Sequence, residues 1–278
     1  MTTRLAWWAG AIITAGALST GIFAAGDTLE VVTWNIKVDQ STARARQEMD
    51  FLAALTPRPQ VIVLNEANYS NVNTYLGELE GQTHQAWTAV FQHHCPFNKW
   101  NTTTASCEAF DDEGIAILST LPIRNYEGTY FPWADCWHSA RAGLHAAIDT
   151  GSTIVQLFAV HLQTGLCQND AQSRLNSIAS LTTWAARFPS PQLLGGDFNA
   201  NPGSTEIANT SRGMTAAFVD AWSVAGSGNG YTFHSASPSR RIDYWFSRGA
   251  VARSISVLAT SPSLSDHLPV RASFSLAE

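Results

Sequence analysis

Short apolar runs, separated by polar stretches, dominate the hydrophobic pattern of this chain. Leu29–Trp34, Val61–Leu64, Gly114–Ser119, Leu144–Asp149, Ile154–Leu162, Gln192–Leu194, Ile242–Phe246 and Val270–Leu276 are rich in β-branched and aliphatic residues. Several are apolar at nearly every position, as expected of strands covered on both faces. Two longer segments carry a helical period instead. Ser41–Leu55 follows a polar start and stops before Pro57. Asp170–Phe188 places Leu175, Ile178, Leu181, Trp184, Ala185 and Phe188 near helical spacing and ends before Pro189. The polar, Trp-containing stretch from Gln92 to Asp112 predicts a long loop, and long loops in compact domains are often functional. No repeat, charge block or Pro-rich linker cuts the region 27–278, so one α/β domain of mixed sheets is expected there.

Composition changes this picture in one respect. Of 278 residues, 45% are hydrophobic and 10% aromatic, enough for a sizeable core, while only 14% are charged and the formal net charge is −6. A broad basic surface that tracks phosphates is therefore not evident, and binding to nucleic acid by counterion release alone gains no support. An acidic protein can still act on phosphates if a bound cation supplies the positive charge.

The N-terminus predicts export. Arg4 is followed by an apolar stretch, Leu5 to Ala25, and by the small residues Ala24-Ala25-Gly26. Residues 1–26 are expected to be a cleaved signal peptide, delivering a secreted protein, extracellular or periplasmic. The stretch is also long enough to span a bilayer, so an uncleaved anchor is the alternative, but Gly10, Thr14, Gly16, Ser19, Thr20 and Gly21 dilute its hydrophobicity. Cys95, Cys107, Cys136 and Cys167 all follow it and include no CxxC. Outside the cytosol an even number of cysteines favours disulfides over a zinc knuckle or a thioredoxin-like centre. Three pairings are open. Cys95–Cys107 with Cys136–Cys167 is preferred, because the first closes a short polar loop and the second ties two segments that flank strands.

The candidate chemistry sits where the apolar runs end. Asn35 follows Val31–Trp34, Glu66 follows Val61–Asn65, and Glu113 precedes Gly114–Ser119. His161 lies inside Phe158–Leu162, Asp197 and Asn199 follow Leu193–Gly196, Asp243 lies in Arg241–Trp245, and Asp266-His267 precede Leu268-Pro269-Val270. Singly, each is a turn former or a satisfied core residue. As a set they are harder to dismiss, because carboxylates are seldom buried without a partner or a metal.

The ordered blocks Thr33-Trp34-Asn35-Ile36, Leu64-Asn65-Glu66, Glu113–Ser119, Val160-His161-Leu162, Gly195-Gly196-Asp197-Phe198-Asn199-Ala200, Arg241-Ile242-Asp243-Tyr244 and Ser265–Val270 resemble the endonuclease/exonuclease/phosphatase superfamily. The resemblance runs over residues 29–274. It implies a four-layer αββα sandwich, two packed mixed β-sheets flanked by helices, with the site at one sheet edge. It implies Glu66 as the principal ligand of Mg²⁺ or Mn²⁺, with Ca²⁺ as a structural alternative, Asn35 helping to hold metal or phosphate, and Asp266 adding metal or water contacts. Asp197 would deprotonate the attacking water, Asn199 would bond a phosphate oxygen, and Asp243 would orient His267. Glu113 and His161 match a second carboxylate–histidine pair, and Arg141 a phosphate-contacting arginine. Asn65 stands where many members carry Gln.

The implied activity is metal-assisted phosphodiester hydrolysis, a reaction that needs charge neutralised, water activated and a leaving oxygen protonated. The nucleophile elbow, the P-loop and H-E-x-x-H are absent from the sequence. Three substrate classes and one non-catalytic reading stay open. A secreted nuclease acting on DNA, or on DNA and RNA, is favoured by the deoxyribonuclease-like pair Glu113/His161. A sphingomyelinase-like phospholipase C shares Asn65-Glu66, His161-Leu162-Gln163 and the Cys136/Cys167 placement, but the interval from Asp243 to Asp266 is short for that group's apolar hairpin. A phosphomonoesterase would want more cations than Arg240 and Arg241. A binding protein without chemistry would be expected to have lost some of these residues. A monomer with no obligate protein partner is expected.

Overall fold

The computed structural model describes residues 13–14, 28–38, 41–131, 138–164, 169–209 and 211–276. Two mixed sheets form its frame. In the first, the strand order is β1 (Ile13–Thr14), β4 (Thr88–His93), β8 (Glu113–Ser119), β3 (Val61–Asn68), β2 (Thr28–Asn35), β16 (Val270–Ser275) and β15 (Val251–Val257). In the second it is β13 (Val219–Asp220), β14 (Asp243–Arg248), β12 (Gln192–Asp197), β11 (Ile154–His161), β10 (His138–Asp149) and β5 (Cys95–Pro96), with β9 (Ile123–Phe131) also paired to β10. A small hairpin joins β6 (Trp100–Asn101) to β7 (Ser106–Cys107). Each large sheet contains a parallel pair, β2 with β3 and β11 with β12. Parallel neighbours need a crossover. The helices α1 (Thr42–Ala53) and α3 (Asp170–Ala185) provide one for each sheet.

Alternating side chains along the strands divide the interior into three apolar layers. Val31, Val63, Ile117, Leu144, Leu157, Leu193, Trp245 and Phe274 fill the space between the sheets. Trp34, Met49, Leu52, Leu64, Tyr75 and Leu79 join the first sheet to α1 and to α2 (Val72–Thr83). Phe158, Ile178, Leu181, Trp184, Leu194 and Phe246 join the second sheet to α3. The result is the expected four-layer sandwich. It also explains the continuous apolar runs, since both faces of β2, β3, β11 and β12 lie under other layers.

The expected strands are all present with ends shifted by a few residues. Helix α2 and strands β4, β9 and β15 were not anticipated by the apolar runs, and the expected loop 92–112 carries β5 and the β6–β7 hairpin. The Cys95–Cys107 disulfide closes that loop. Cys136 and Cys167 lie outside the described residues, as does nearly all of the expected signal segment. From that segment only Ile13–Thr14 is described, paired with Ala89 and Thr88 of the edge strand β4. Among the described residues no helix is long and apolar enough to cross a membrane.

One buried acid sets a pH limit on this fold. Glu48 lies on the inward face of α1 and its side chain is fully buried, with the Arg44 guanidinium 3.2 Å away. Neither carboxyl oxygen has a hydrogen-bond partner among the described residues. Burial therefore outweighs the attraction of Arg44 and pushes the carboxyl up to about 8. A raised acid stabilises the fold while protonated, and that contribution is full below pH 4.5 and is lost as pH rises through 8. Glu48→Gln should accordingly match the wild type at pH 4 and exceed its stability at pH 9 by roughly 3–5 kcal/mol. Chemical denaturation at both pH values measures it, and a variant less stable at pH 9 refutes it.

Candidate active site

The carboxyl ends of both parallel pairs open at one edge of the sandwich. Asn35 pairs with Asn65 at the end of β2–β3, while His161 pairs with Asp197, and Asp197 with Asp243, at the end of β11–β12–β14. Asn65 ties the sheets together. It is fully buried, donates from Nδ2 to the Val160 carbonyl at 2.9 Å, and accepts the Asp197 N–H at 3.0 Å. Asn65, standing where many members of the resembled superfamily carry Gln, is the cross-sheet strut beneath the site.

Glu66 projects from a β-bulge. Asn65 faces Ile115 and Ala67 faces Gly114, so Glu66 is the extra residue, and it adopts φ of +56°. Bulges re-aim a side chain, and a left-handed non-glycine residue carries strain that the surroundings must hold. The holding contacts are Asn35 Nδ2 on Oε1 at 2.9 Å and the Val38 N–H on Oε2 at 2.8 Å. Arg44 braces that loop from α1, donating to the carbonyls of Lys37 and, at 3.1 Å, Val38.

Asp197 is the hub. Two glycines precede it for steric reasons: a Cβ on Gly195 would lie 2.6 Å from the Trp245 ring, and one on Gly196, at φ of +143°, would lie 2.0 Å from the Val160 carbonyl oxygen. Asp197 is 1% exposed and accepts from Asn35 Nδ2 at 3.1 Å, from the Asn199 N–H at 2.8 Å and from Asn199 Nδ2 at 3.3 Å. Burial, reinforced by the negative Asp243, pushes its carboxyl up to about 7 in spite of His267 and these donors.

Two imidazoles flank the same oxygen. His267 Nε2 and His161 Nε2 each lie 3.7 Å from Asp197 Oδ2. His267 Nδ1 stands 2.8 Å from Asp243 Oδ2, so an ionised Asp243 fixes the proton on Nδ1. Burial alone would lower this imidazole, but Asp243 and Asp197 together overcome it and raise it to about 10. Its backbone is anchored separately: the His267 N–H reaches Ser265 Oγ at 3.0 Å and its carbonyl accepts Trp34 Nε1 at 3.0 Å.

His161 meets its expected carboxylate at long range. Its Nδ1 lies 3.9 Å from Glu113 Oε1, beyond hydrogen-bond reach, and 3.1 Å from Arg141 Nη1. A guanidinium can only donate, so Nδ1 accepts and a neutral His161 carries its proton on Nε2, toward Asp197 and toward Glu66 Oε1 at 3.9 Å. The expected Glu113–His161 pair is thus a long ion-pair contact, with the Arg141 guanidinium between the two groups. Glu113 makes its short contact, 2.9 Å, with His94 Nδ1, a residue that reading the sequence as a loop overlooked.

The remaining expected residues divide by position. Asn199 bonds inward, to Asp197 and from Nδ2 to the Leu162 carbonyl at 3.1 Å. Asp266 stands at the rim, half-buried, 3.6 Å from Lys37 Nζ. Asn35 presents its amide N–H₂ to Glu66 and Asp197, while its Oδ1 accepts the Lys37 N–H at 3.0 Å. That last bond orients the amide, so Asn35 orders the acids here rather than offering an oxygen ligand. Arg241 braces the Asp243 strand through a bidentate pair with Asp220, on the neighbouring β13, at 3.0 and 2.6 Å.

This donor set fits a divalent cation. Hard cations take oxygen ligands, and the edge gathers Glu66, Asp197 and Asp243, with burial and then the repulsion from Asp243 raising the Asp197 carboxyl. A cation relieves that repulsion. Glu66 is the most accessible of the three, with its side chain 22% exposed against 1% for each of the aspartates, and it would hold the ion.

Comparison with known proteins bears on the fold and the family. No curated protein matches the sequence. Among solved structures, humanized D. rerio TDP2 is 19% identical with a TM-score of 0.66, the match covering 89% of this chain and 99% of that one. D. rerio TDP2 complexed with single strand DNA product is 20% identical with a TM-score of 0.66 over 89% and 99% of the two chains. An endonuclease/exonuclease/phosphatase from Bacteroides vulgatus is 16% identical with a TM-score of 0.67 over 90% and 99%. At these identities the likeness establishes the shared fold. The sequence itself matches the model of the Endonuclease/Exonuclease/phosphatase family over residues 32–267, most of its length. The chain belongs to that family.

Proposed function

We propose that this protein is an exported, divalent-metal-dependent phosphodiesterase whose substrate is nucleic acid, DNA foremost. The observation that carries the reading is the pair of imidazoles, each 3.7 Å from one oxygen of a buried aspartate whose proton affinity is raised to near neutrality. A general base works best when its affinity for a proton lies near the working pH. Asp197 takes the proton from a water attacking phosphorus. His267, kept protonated by Asp243 and Asp197, faces the phosphate and gives its Nε2 proton to the leaving oxygen as the bond from that oxygen to phosphorus breaks. His161 offers Nε2–H from the other side, and Arg141 adds a fixed positive charge behind it. A Mg²⁺ or Mn²⁺ ion held at Glu66 would supply further neutralisation of the phosphate.

DNA is favoured because a family neighbour of the same fold, D. rerio TDP2, is seen with a single-stranded DNA product. Export is supported by the apolar N-terminal stretch and by the Cys95–Cys107 disulfide, a bond that persists in oxidising compartments. The test is a substrate panel: plasmid DNA, RNA, sphingomyelin vesicles, bis-p-nitrophenyl phosphate and p-nitrophenyl phosphate, each with Mg²⁺, Mn²⁺ or EDTA. Cleavage of DNA that EDTA abolishes is expected. Intact nucleic acids beside cleaved sphingomyelin or monoester would overturn the nuclease reading, and undiminished cleavage in EDTA would overturn metal dependence.

A further inference from the structure

His94 lies immediately after β4, inside the stretch that reads as a loop, yet it is fully buried. Its main chain is clamped to the site's own strand: the His94 N–H reaches the Glu113 carbonyl at 2.9 Å, and its carbonyl accepts the Asp111 N–H at 3.3 Å. Its ring stands 5.2 Å from that of His161, and its Nδ1 lies 2.9 Å from Glu113 Oε1. The same carboxyl oxygen is 3.6 Å from Arg141 Nη1, which is 3.1 Å from His161 Nδ1. A continuous line therefore runs from His94 through Glu113 and Arg141 to the imidazole beside Asp197.

The next residue explains how this line is held. Cys95 pairs with Ala140 of β10, one position before Arg141, and is bridged to Cys107. The two-residue step His94-Cys95 thus carries the chain from the first sheet to the second, and it fixes His94 relative to both Glu113 and Arg141. An ionised Glu113 only accepts hydrogen bonds, so His94 must donate from Nδ1. A glutamate has three rotatable side-chain bonds, and a donor on one oxygen removes much of that freedom.

We propose that His94 is a positioning residue for the phosphodiesterase reaction: it fixes Glu113, and Glu113 fixes the Arg141 guanidinium where a phosphate would meet His161 and Asp197. The inference rests on the phosphodiesterase reading above and adds the residue that aims its arginine.

The test uses kinetics on bis-p-nitrophenyl phosphate with the full chain. His94→Phe keeps the ring and removes the donor, whereas His94→Asn keeps an N–H near the place of Nδ1 and sacrifices packing. His94→Phe should lower kcat about 10- to 100-fold, the usual scale for partners that orient a reacting group. His94→Asn should recover most of that rate while melting below His94→Phe, an inversion that packing alone does not produce. The His94→Phe/Arg141→Ala double variant should be no slower than Arg141→Ala by itself, because a residue acting through another is not additive with it. A His94→Phe rate within twofold of the wild type overturns the proposal, as does a loss that multiplies in the double variant or rates that simply follow melting temperature. A wild type that cleaves no phosphodiester at all would instead remove the underlying reading.

Discussion

Substituting His267 by Ala is expected to lower kcat on a phosphodiester by two to four orders of magnitude, the range for a lost acid–base group. Two effects add. The first is direct: the imidazolium, held through Nδ1 by Asp243 at 2.8 Å, no longer faces the phosphate. The second passes through Asp197, whose carboxyl is held down by the positive His267 against burial and Asp243. Without that charge Asp197 rises further and carries a proton at neutral pH, when it should be free to accept one. The loss is chemical rather than structural, since Ser265 Oγ and Trp34 Nε1 hold the backbone of residue 267, and the Leu268 N–H adds a bond to the Thr232 carbonyl at 2.8 Å. Asp243→Asn should cost less, because its remaining carbonyl oxygen still accepts from Nδ1. Steady-state kinetics beside far-ultraviolet circular dichroism decides it. A folded His267→Ala protein within tenfold of the wild-type kcat would remove the imidazole from the mechanism.

How much of this could be read beforehand follows from where each residue's partners lie. Strands β2, β3, β11 and β12 advertise themselves because each is covered on both faces, so apolar side chains occupy successive positions. Strand β9 does not, since Arg124, Asn125 and Glu127 interrupt Ile123–Phe131 and, among the described residues, the strand pairs only with β10. Helix α2 buries Val72, Tyr75, Leu76 and Leu79 at helical spacing, but Gly77 and Gly81 lower the propensity of its exposed face and hide the pattern. Glu66, Asp197, Asp243 and His267 are legible because charged residues at the ends of apolar strands are conspicuous. Asn65 is not, because its meaning depends on Val160 and Asp197, which reach it only once two sheets pack. His94 is hidden for a related reason. It follows the polar Gln92-His93 within an apparent loop, and the carboxylate it holds comes from another strand. Glu113 and Arg141 show the same limit from the other side: both residues were named, but the bridge between Glu113 and His161 is a three-dimensional fact.

Glu66→Gln should abolish response to the divalent cation while leaving the fold in place. The change keeps volume and one acceptor oxygen and removes the charge. It leaves either Asn35 Nδ2 or the Val38 N–H short of a partner, at a cost of about 1 kcal/mol. For a chain of this size that lowers the melting temperature by roughly 2–4 °C. Cation binding reads out separately. At a concentration of Mg²⁺ or Mn²⁺ about one hundred times its dissociation constant, the wild type gains about 2.7 kcal/mol, or roughly 5–10 °C. The variant should show no such gain, because Asp197 and Asp243 are 1% exposed and are occupied by Asn35, Asn199 and His267, whereas Glu66 is the one of these three carboxylates open to solvent. Turnover should fall by about three orders of magnitude, since a metal ion contributes several kcal/mol of charge stabilisation and each 1.36 kcal/mol is tenfold in rate. Melting curves with and without cation, on both proteins, separate the two quantities. A Glu66→Gln protein that still gains the wild-type increment would place the cation elsewhere along this edge and take Glu66 out of the site.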